Sequence, residues 1–302
     1  MKMKISQSAI KSIVDVNNGK ECGLVHKAKF IDGRYDLFPP SDAQNAGAWF
    51  EYMATGSIPK NGVAPKAEYM KRGKDESGNP ELTAPYRLMK KHVENFKKTM
   101  NAYGFEILRV GEDIVANYPN SIEKFGFEVL LTGTLDIRAR ATKDIYSYYG
   151  SKEYGYQKVT VAKKGEVCII DLKTTGLLDD KWNDYGWEIN NLHNKHKLIT
   201  QPIHYKYIEK LNSGEYPPFL FMLYSQNNEF DTRIIDFRVD DSVFDAHEKN
   251  IESSVVLLHK YLSTGFPPIP DIKRCSSCPL SNECAYKEEV PKITVFYLSN
   301  EA

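Results

Sequence analysis

An α/β fold, with a mixed central sheet flanked by helices, is the architecture this chain predicts, and three observations predict it. Its segments run in the order helix, mixed strands, helix, strands. The stretch Val167-Cys168-Ile169-Ile170 is apolar without interruption and reads as the central strand. The composition, 41% apolar and 26% charged in 302 residues, is that of a globular chain long enough to bury a full core.

Taken in order, residues up to about 103 read as mostly helical, with a short apolar-periodic segment at 10–16 and a Gly-, Pro- and Lys-rich loop at 57–81. A helix is expected over 86–103. His92 lies in it among Lys90, Lys91, Lys97 and Lys98 and reads as part of a solvated basic face. Residues 105–118 and 125–139 then read as strands, and the tyrosine-rich stretch 142–158 as a hairpin leading into a strand over 167–172. A mixed aromatic and basic segment follows, with Trp182, Tyr185, Trp187, His193, Lys195, His196 and Lys197, before a helix at 199–211. Trp182 and Trp187 either stack bases at the mouth of a site or pack on the core helix. Strands at 219–225 and 232–239 are separated by the turn formers Gln226-Asn227-Asn228-Glu229. The last helix runs over 242–262, until Gly265-Phe266-Pro267-Pro268 ends it.

Asp171 and Lys173 directly follow the apolar strand. Side chains two apart on a strand share a face, so this carboxylate and ammonium project together while Leu172 points into the apolar layer. Asp136 stands 35 positions earlier, closing Gly133-Thr134-Leu135-Asp136. A second carboxylate from a neighbouring strand would complete a hard oxygen site suited to Mg²⁺ or Mn²⁺. Such an ion lowers the pKa of a bound water and neutralises phosphate charge, and a lysine can orient the water or stabilise the transition state. Taken alone, Asp-x-Lys on a strand is more often an ordinary surface salt bridge. Further along, Gln201 and Tyr205 in Gln201-Pro202-Ile203-His204-Tyr205 fall four apart, on one helix face.

The second cluster is Cys275-Ser276-Ser277-Cys278-Pro279-Leu280-Ser281-Asn282-Glu283-Cys284. Three soft thiolates close together favour zinc or an iron–sulfur cluster over a harder metal. Of the two other cysteines, Cys168 lies in the expected central strand as a small buried apolar residue, and Cys22 lies in a polar turn. Five cysteines are few for disulfides, and no signal peptide points to an oxidising compartment.

In order and spacing, Gly133-Thr134-Leu135-Asp136, then Ile170-Asp171-Leu172-Lys173-Thr174-Thr175, then Gln201 to Tyr205 resemble the PD-(D/E)XK nuclease superfamily, specifically its RecB-like branch, which includes phage exonucleases and CRISPR-adaptation nucleases. The resemblance covers roughly residues 6–286. It implies a restriction-endonuclease-like core, metal ligation by Asp136, Asp171 and the Leu172 carbonyl, Lys173 as the catalytic lysine, and Gln201 and Tyr205 as residues that contact substrate or brace the site. The branch often carries Gly-x-x-x-His on an early helix. Here Gly47-Ala48-Trp49-Phe50-Glu51 offers Glu51 instead, as a metal ligand or as a solvated helix acid. One N-terminal cysteine with three near the C-terminus resembles the iron staple of several RecB-like nucleases. By that resemblance Cys22, Cys275, Cys278 and Cys284 hold a 4Fe-4S cluster, with zinc as the rival.

The expectation is therefore one nuclease domain over 1–302, with its core at about 86–262 and a cysteine-bound subdomain joining about 6–30 to 270–290. Its activity would be a metal-dependent deoxyribonuclease, foremost an exonuclease on single-stranded DNA or duplex ends in recombination, repair, phage replication or defence. A CRISPR-adaptation type of endonuclease and a non-catalytic nucleic-acid-binding or assembly module are the alternatives. Lys plus Arg balances Asp plus Glu at 40 each, which excludes a basic grip over the whole surface and leaves local patches. No stretch reaches the roughly 18 apolar residues of a membrane span, and a cytoplasmic protein is expected. No Gly-x-x-x-x-Gly-Lys-[Ser/Thr] loop occurs, so helicase action would come from a recombination partner.

Overall fold

The computed structural model describes residues 2–59, 62–74, 78–151, 155–175, 182–183, 186–187, 195–227, 232–270 and 275–286. In chain order the first half forms β1 (Lys2–Ser6), α1 (Gln7–Asn17), α2 (Gly23–His26), α3 (Asp42–Thr55), β2 (Tyr69–Lys74), β3 (Pro80–Leu82), α4 (Ala84–Tyr103), β4 (Phe105–Asn117), α5 (Ser121–Phe125) and β5 (Glu128–Ala141). The second half forms β6 (Ile145–Ser151), β7 (Gly155–Ala162), β8 (Val167–Thr175), β9 (Trp182–Asn183), β10 (Gly186–Trp187), α6 (Lys195–Ser213), β11 (Phe219–Ser225), β12 (Thr232–Phe237) and α7 (Asp241–Thr264). These divide into two compact units, residues 1–7 with 40–247, and residues 8–39 with 248 onward. No helix among the described residues is long and apolar enough to cross a membrane.

The first unit is built on a six-stranded sheet in the order β1-β5-β8-β11-β12, with β4 on β5. The sheet is mixed: β1 with β5 and β8 with β11 run parallel, whereas β4 with β5, β5 with β8 and β11 with β12 run antiparallel. One face presents Ile137 and Ala139 of β5, Cys168, Ile170 and Leu172 of β8, and Leu220, Met222 and Tyr224 of β11. Against it pack Trp49 and Phe50 of α3 and Tyr86, Met89, Val93, Phe96 and Met100 of α4, at the three- and four-residue spacing of a helix stripe. Each such side chain contributes about 1.5–3 kcal/mol when fully buried. Both helices have defined ends. In α3, Ser41 and Gln44 form a capping box and Gly56 closes the helix at φ 79°. In α4, Pro85 sits in the first turn and Gly104 closes the helix at φ 74°.

On the opposite face, α6 is fastened to the sheet by a partly buried ion network. Arg138 of β5 donates from both terminal nitrogens to the Glu209 carboxylate of α6, each at 2.9 Å, and from Nε to Glu112 of β4 at 2.5 Å. The parallel fork fixes the helix in angle as well as in distance.

Two expectations change. The N-terminal region is less helical than its sequence suggests, because Lys2–Ser6 is a strand parallel to β5 and part of 57–81 forms the β2–β3 hairpin. In β1 only Met3 and Ile5 alternate inward, too short a period-two signal to stand out. His92 is not on the solvated face. It is fully buried, with Nε2 2.7 Å from the Ser225 carbonyl oxygen and its ring against Tyr224. The flanking lysines are exposed, and the helix turn carries His92 inward beside Val93.

The second unit joins two distant stretches of chain. The Gly23 amide donates to the Pro267 carbonyl at 2.9 Å, and a Cβ at Gly23 would stand 2.6 Å from that oxygen. His26 is buried beside them, its Nδ1 2.8 Å from Ser12 Oγ and its ring stacked 5.6 Å from Phe266. Only glycine permits so close a backbone approach.

Arg138→Ala leaves Glu209 without its partner while still largely covered by protein, and leaves Glu112 with Arg109 alone. We expect a loss of about 3 kcal/mol in urea denaturation, with Arg138→Lys recovering only part of it because an ammonium lacks the fork.

Candidate active site at a fork in the sheet

One edge of β5 has two partners. β1 takes residues 128–132 and β8 takes residues 137–140, so Gly133-Thr134-Leu135-Asp136 lies between the two pairings. Backbone groups in such a gap must find partners elsewhere. Asp136 Oδ2 accepts the Leu172 amide of β8 at 2.8 Å. The Thr134 amide donates to the Tyr205 hydroxyl, and His204 Nε2 is 3.2 Å from the Thr132 carbonyl oxygen. The register that pairs Ile137 with Ile170 brings Asp136 and Asp171 to the next step, where the strands part.

Two glycines allow the surrounding helices to come this close. A Cβ on Gly133 would stand 2.5 Å from Cε1 of Tyr205, so the tyrosine ring of α6 lies directly on the glycine. A Cβ on Gly47 would stand 3.1 Å from Thr174 Oγ1, so α3 passes tight against the end of β8. One helical turn after Gly47, Glu51 enters the field of Asp136, Asp171 and Lys173.

Asp171 is only 1% exposed. Gln201 Nε2 donates to its Oδ1 at 2.6 Å, and Lys173 Nζ lies 2.5 Å from its Oδ2. The lysine contact is a short charge-assisted pair, so both carboxylate oxygens of Asp171 are engaged by side chains. Burial, with the Asp136 charge adding to it against Lys173, pushes the Asp171 carboxyl up to about 7. Burial and then the Asp136 charge push Glu51 up to about 7 as well. Asp136 is raised by burial against the pull of Lys173. Burial works against the Lys173 ammonium, but the charges of Asp171 and Asp136 outweigh it and hold it protonated.

Three carboxylates therefore face one ammonium. That surplus of negative charge, set on hard oxygen donors, fits a divalent cation such as Mg²⁺ or Mn²⁺. Among the described residues, no three His, Cys, Asp or Glu side chains lie close enough together to share an ion as placed.

In the second unit, Cys22, Cys275, Cys278 and Cys284 line one cavity of about 290 Å³. None of the four is in a disulfide, and each is partly exposed. Burial raises the Cys278 thiol, and the charges of Cys22, Cys275 and Cys284 raise it further. Thiols that sense one another's charge are the donor set for a soft metal group.

No family model matches this chain, and no curated protein matches it. Among solved structures, a candidate exonuclease from Eubacterium rectale is similar over 98% of this chain and 91% of its own, at 15% identity and a TM-score of 0.52. A second, SSO0001, is similar over 64% of this chain and 66% of its own, at 11% identity and a TM-score of 0.31. The first likeness shows a shared fold.

The fork thus brings together Glu51, Asp136, Asp171, Leu172, Lys173, Gln201 and Tyr205. His204 is the residue sequence reasoning passed over. It stands three after Gln201 on the same helix, a spacing that marks a shared face, and its Nδ1 meets His247 Nε2 at 3.1 Å. Trp182 and Trp187 pair in register on β9 and β10, but their side chains, like residues 188–194, lie outside the described residues.

Asp171 and Glu51 both hold protons more tightly folded than at their ordinary values of 3.8 and 4.5. The folded state therefore binds more protons between about pH 4 and pH 7, and stability must fall across that window as pH rises. Urea denaturation in EDTA from pH 5 to pH 8 should show the decline, Asp171→Asn should flatten it, and Mn²⁺ should restore stability most at pH 8.

Proposed function

We infer that the fork is the active site of a metal-dependent deoxyribonuclease of the PD-(D/E)XK superfamily, RecB-like branch, acting as an exonuclease on single-stranded DNA or duplex ends. The observation that carries this reading is the meeting of Asp136, Asp171 and Lys173 with Glu51 at a break in strand pairing, overlaid by Gln201 and Tyr205. A likeness in fold to a candidate exonuclease supports it.

Asp136, Asp171, Glu51 and the Leu172 carbonyl would hold Mg²⁺ or Mn²⁺. When bound, such an ion supplies phosphate charge neutralisation and a lowered pKa for water. The chain's own residues do the rest. Lys173 is held protonated, so its part is to orient the attacking water and to stabilise charge on the phosphoryl oxygens, not to accept a proton. Gln201 pins Asp171 in one rotamer through its 2.6 Å bond. Tyr205, seated on Gly133 and bonded to Thr134, holds α6 over the fork. Hydrolysis adds the water oxygen to phosphorus and breaks one P–O ester bond.

Cys22, Cys275, Cys278 and Cys284 are, in this reading, the ligands of a 4Fe-4S cluster, with zinc as the rival. Their shared cavity, with no disulfide among them, supports a metal group in either case.

Digestion of end-labelled linear and circular DNA, single- and double-stranded, with Mg²⁺ or Mn²⁺ tests the activity. Wild type should degrade linear DNA and spare circles, and Lys173→Ala and Asp171→Ala should each lose at least about 100-fold in rate. Cleavage retained by both variants would remove the fork from the chemistry, and cut circles would make the protein an endonuclease. For the cysteines, protein purified without oxygen should be brown with broad visible absorption that Cys278→Ser abolishes. A colourless protein with stoichiometric zinc would overturn the cluster.

A further inference from the structure

The two strands that carry Asp136 and Asp171 are joined by a segment the active-site reading leaves unused. Between β5 and β8, the chain forms the two-stranded ribbon β6–β7, which is separate from the six-stranded sheet. Ile145 and Ala162 root its base in the core of the first unit. The Arg238 guanidinium, which also pairs with Asp236, donates to the Thr160 carbonyl, and the Lys164 amide donates to Asp144 at 2.8 Å. The ribbon is a fixed arm at its root.

Beyond the root, Tyr146, Tyr148 and Lys158 stand exposed. Tyr146 and Tyr148 alternate onto the same side of β6, 44% and 67% exposed, about 7 Å apart along the strand. Lys158 of β7 stands directly across from Tyr148, and its Nζ lies 3.6 Å from the Tyr146 ring centroid. Two outward aromatic rings at one-base reach, one of them carrying the Lys158 ammonium on its face, match a partner with flat π-faces and a negative backbone. The charge agrees. Residues 142–165 carry five lysines against Asp144 and Glu153, in a chain whose formal net charge is zero. An apolar protein partner would not call for that local excess.

We propose that the face of β6–β7 bearing Tyr146, Tyr148 and Lys158 is a binding surface for single-stranded DNA, where bases stack on the two tyrosines and Lys158 pairs with the phosphate between them. The choice of DNA rests on the nuclease reading. Asp136 is five residues from the end of β5, about 17 Å along the strand, so this surface holds a stretch of strand away from the bond being cut.

The test is fluorescence anisotropy of a labelled 30-residue oligodeoxythymidylate with the full chain in EDTA, which prevents hydrolysis. Tyr146→Ser and Tyr148→Ser should each weaken binding at least about fivefold, the lower bound of ~1 kcal/mol per stacked base. Lys158→Gln should weaken it and lower the slope of log affinity against log salt by about 0.7. All three sites are exposed, so unchanged thermal melting should show that each variant folds. Affinity unchanged in the three variants, or equal losses on blunt duplex, would overturn the proposal, as would wild type that binds no oligonucleotide. A change from dimer to monomer on sedimentation would instead assign the face to a second copy of the chain. Binding through the ribbon by a protein that cuts nothing would sink the nuclease reading and leave this one standing.

Discussion

The divided edge of β5 is the constraint on which the site depends. A strand that changes partner partway leaves backbone groups without a ladder, and buried amides and carbonyls must be satisfied. Here the satisfying groups are side chains. Asp136 takes the Leu172 amide, Tyr205 takes the Thr134 amide, and His204 reaches the Thr132 carbonyl. The same break that would cost stability in a uniform sheet sets two carboxylates at the point where the strands separate.

Everything around the break serves to hold it in one geometry. The Arg138 fork to Glu209 sets the angle of α6, and the seat of Tyr205 on Gly133 sets its height over the sheet. On the other face, the close pass of α3 at Gly47 delivers Glu51 to the same charges. Packing precision is thereby converted into electrostatics: carboxylates crowded in a dry place take up protons or recruit cations, because water is not there to spread their charge.

The chain's overall neutrality hides how unevenly its charge is placed. Acid is concentrated at the fork, where it meets a single protonated lysine, and base is concentrated on the β6–β7 ribbon and the outer face of α4. Under the proposed function, that arrangement would draw a polyanionic strand to the ribbon and leave the acids to hold a cation.

Much of this was legible in the residues alone. The α/β class, the central strand over Val167–Ile170, the helix that carries Gln201 and Tyr205, and the pairing of Asp171 with Lys173 all follow from local periodicity, which backbone geometry imposes on any sequence. Tertiary structure decided what periodicity does not encode. Met3 and Ile5 are two residues of a pattern too short to announce a strand, yet β1 is what divides the edge of β5. His92 sits among lysines in the chain and beneath them in the fold, because a helix turns neighbours in sequence to opposite sides. Glu51, 85 positions from Asp136 and 120 from Asp171, joins them only because Gly47 lets a helix approach a strand end, and closeness of that kind is a property of packing rather than of sequence.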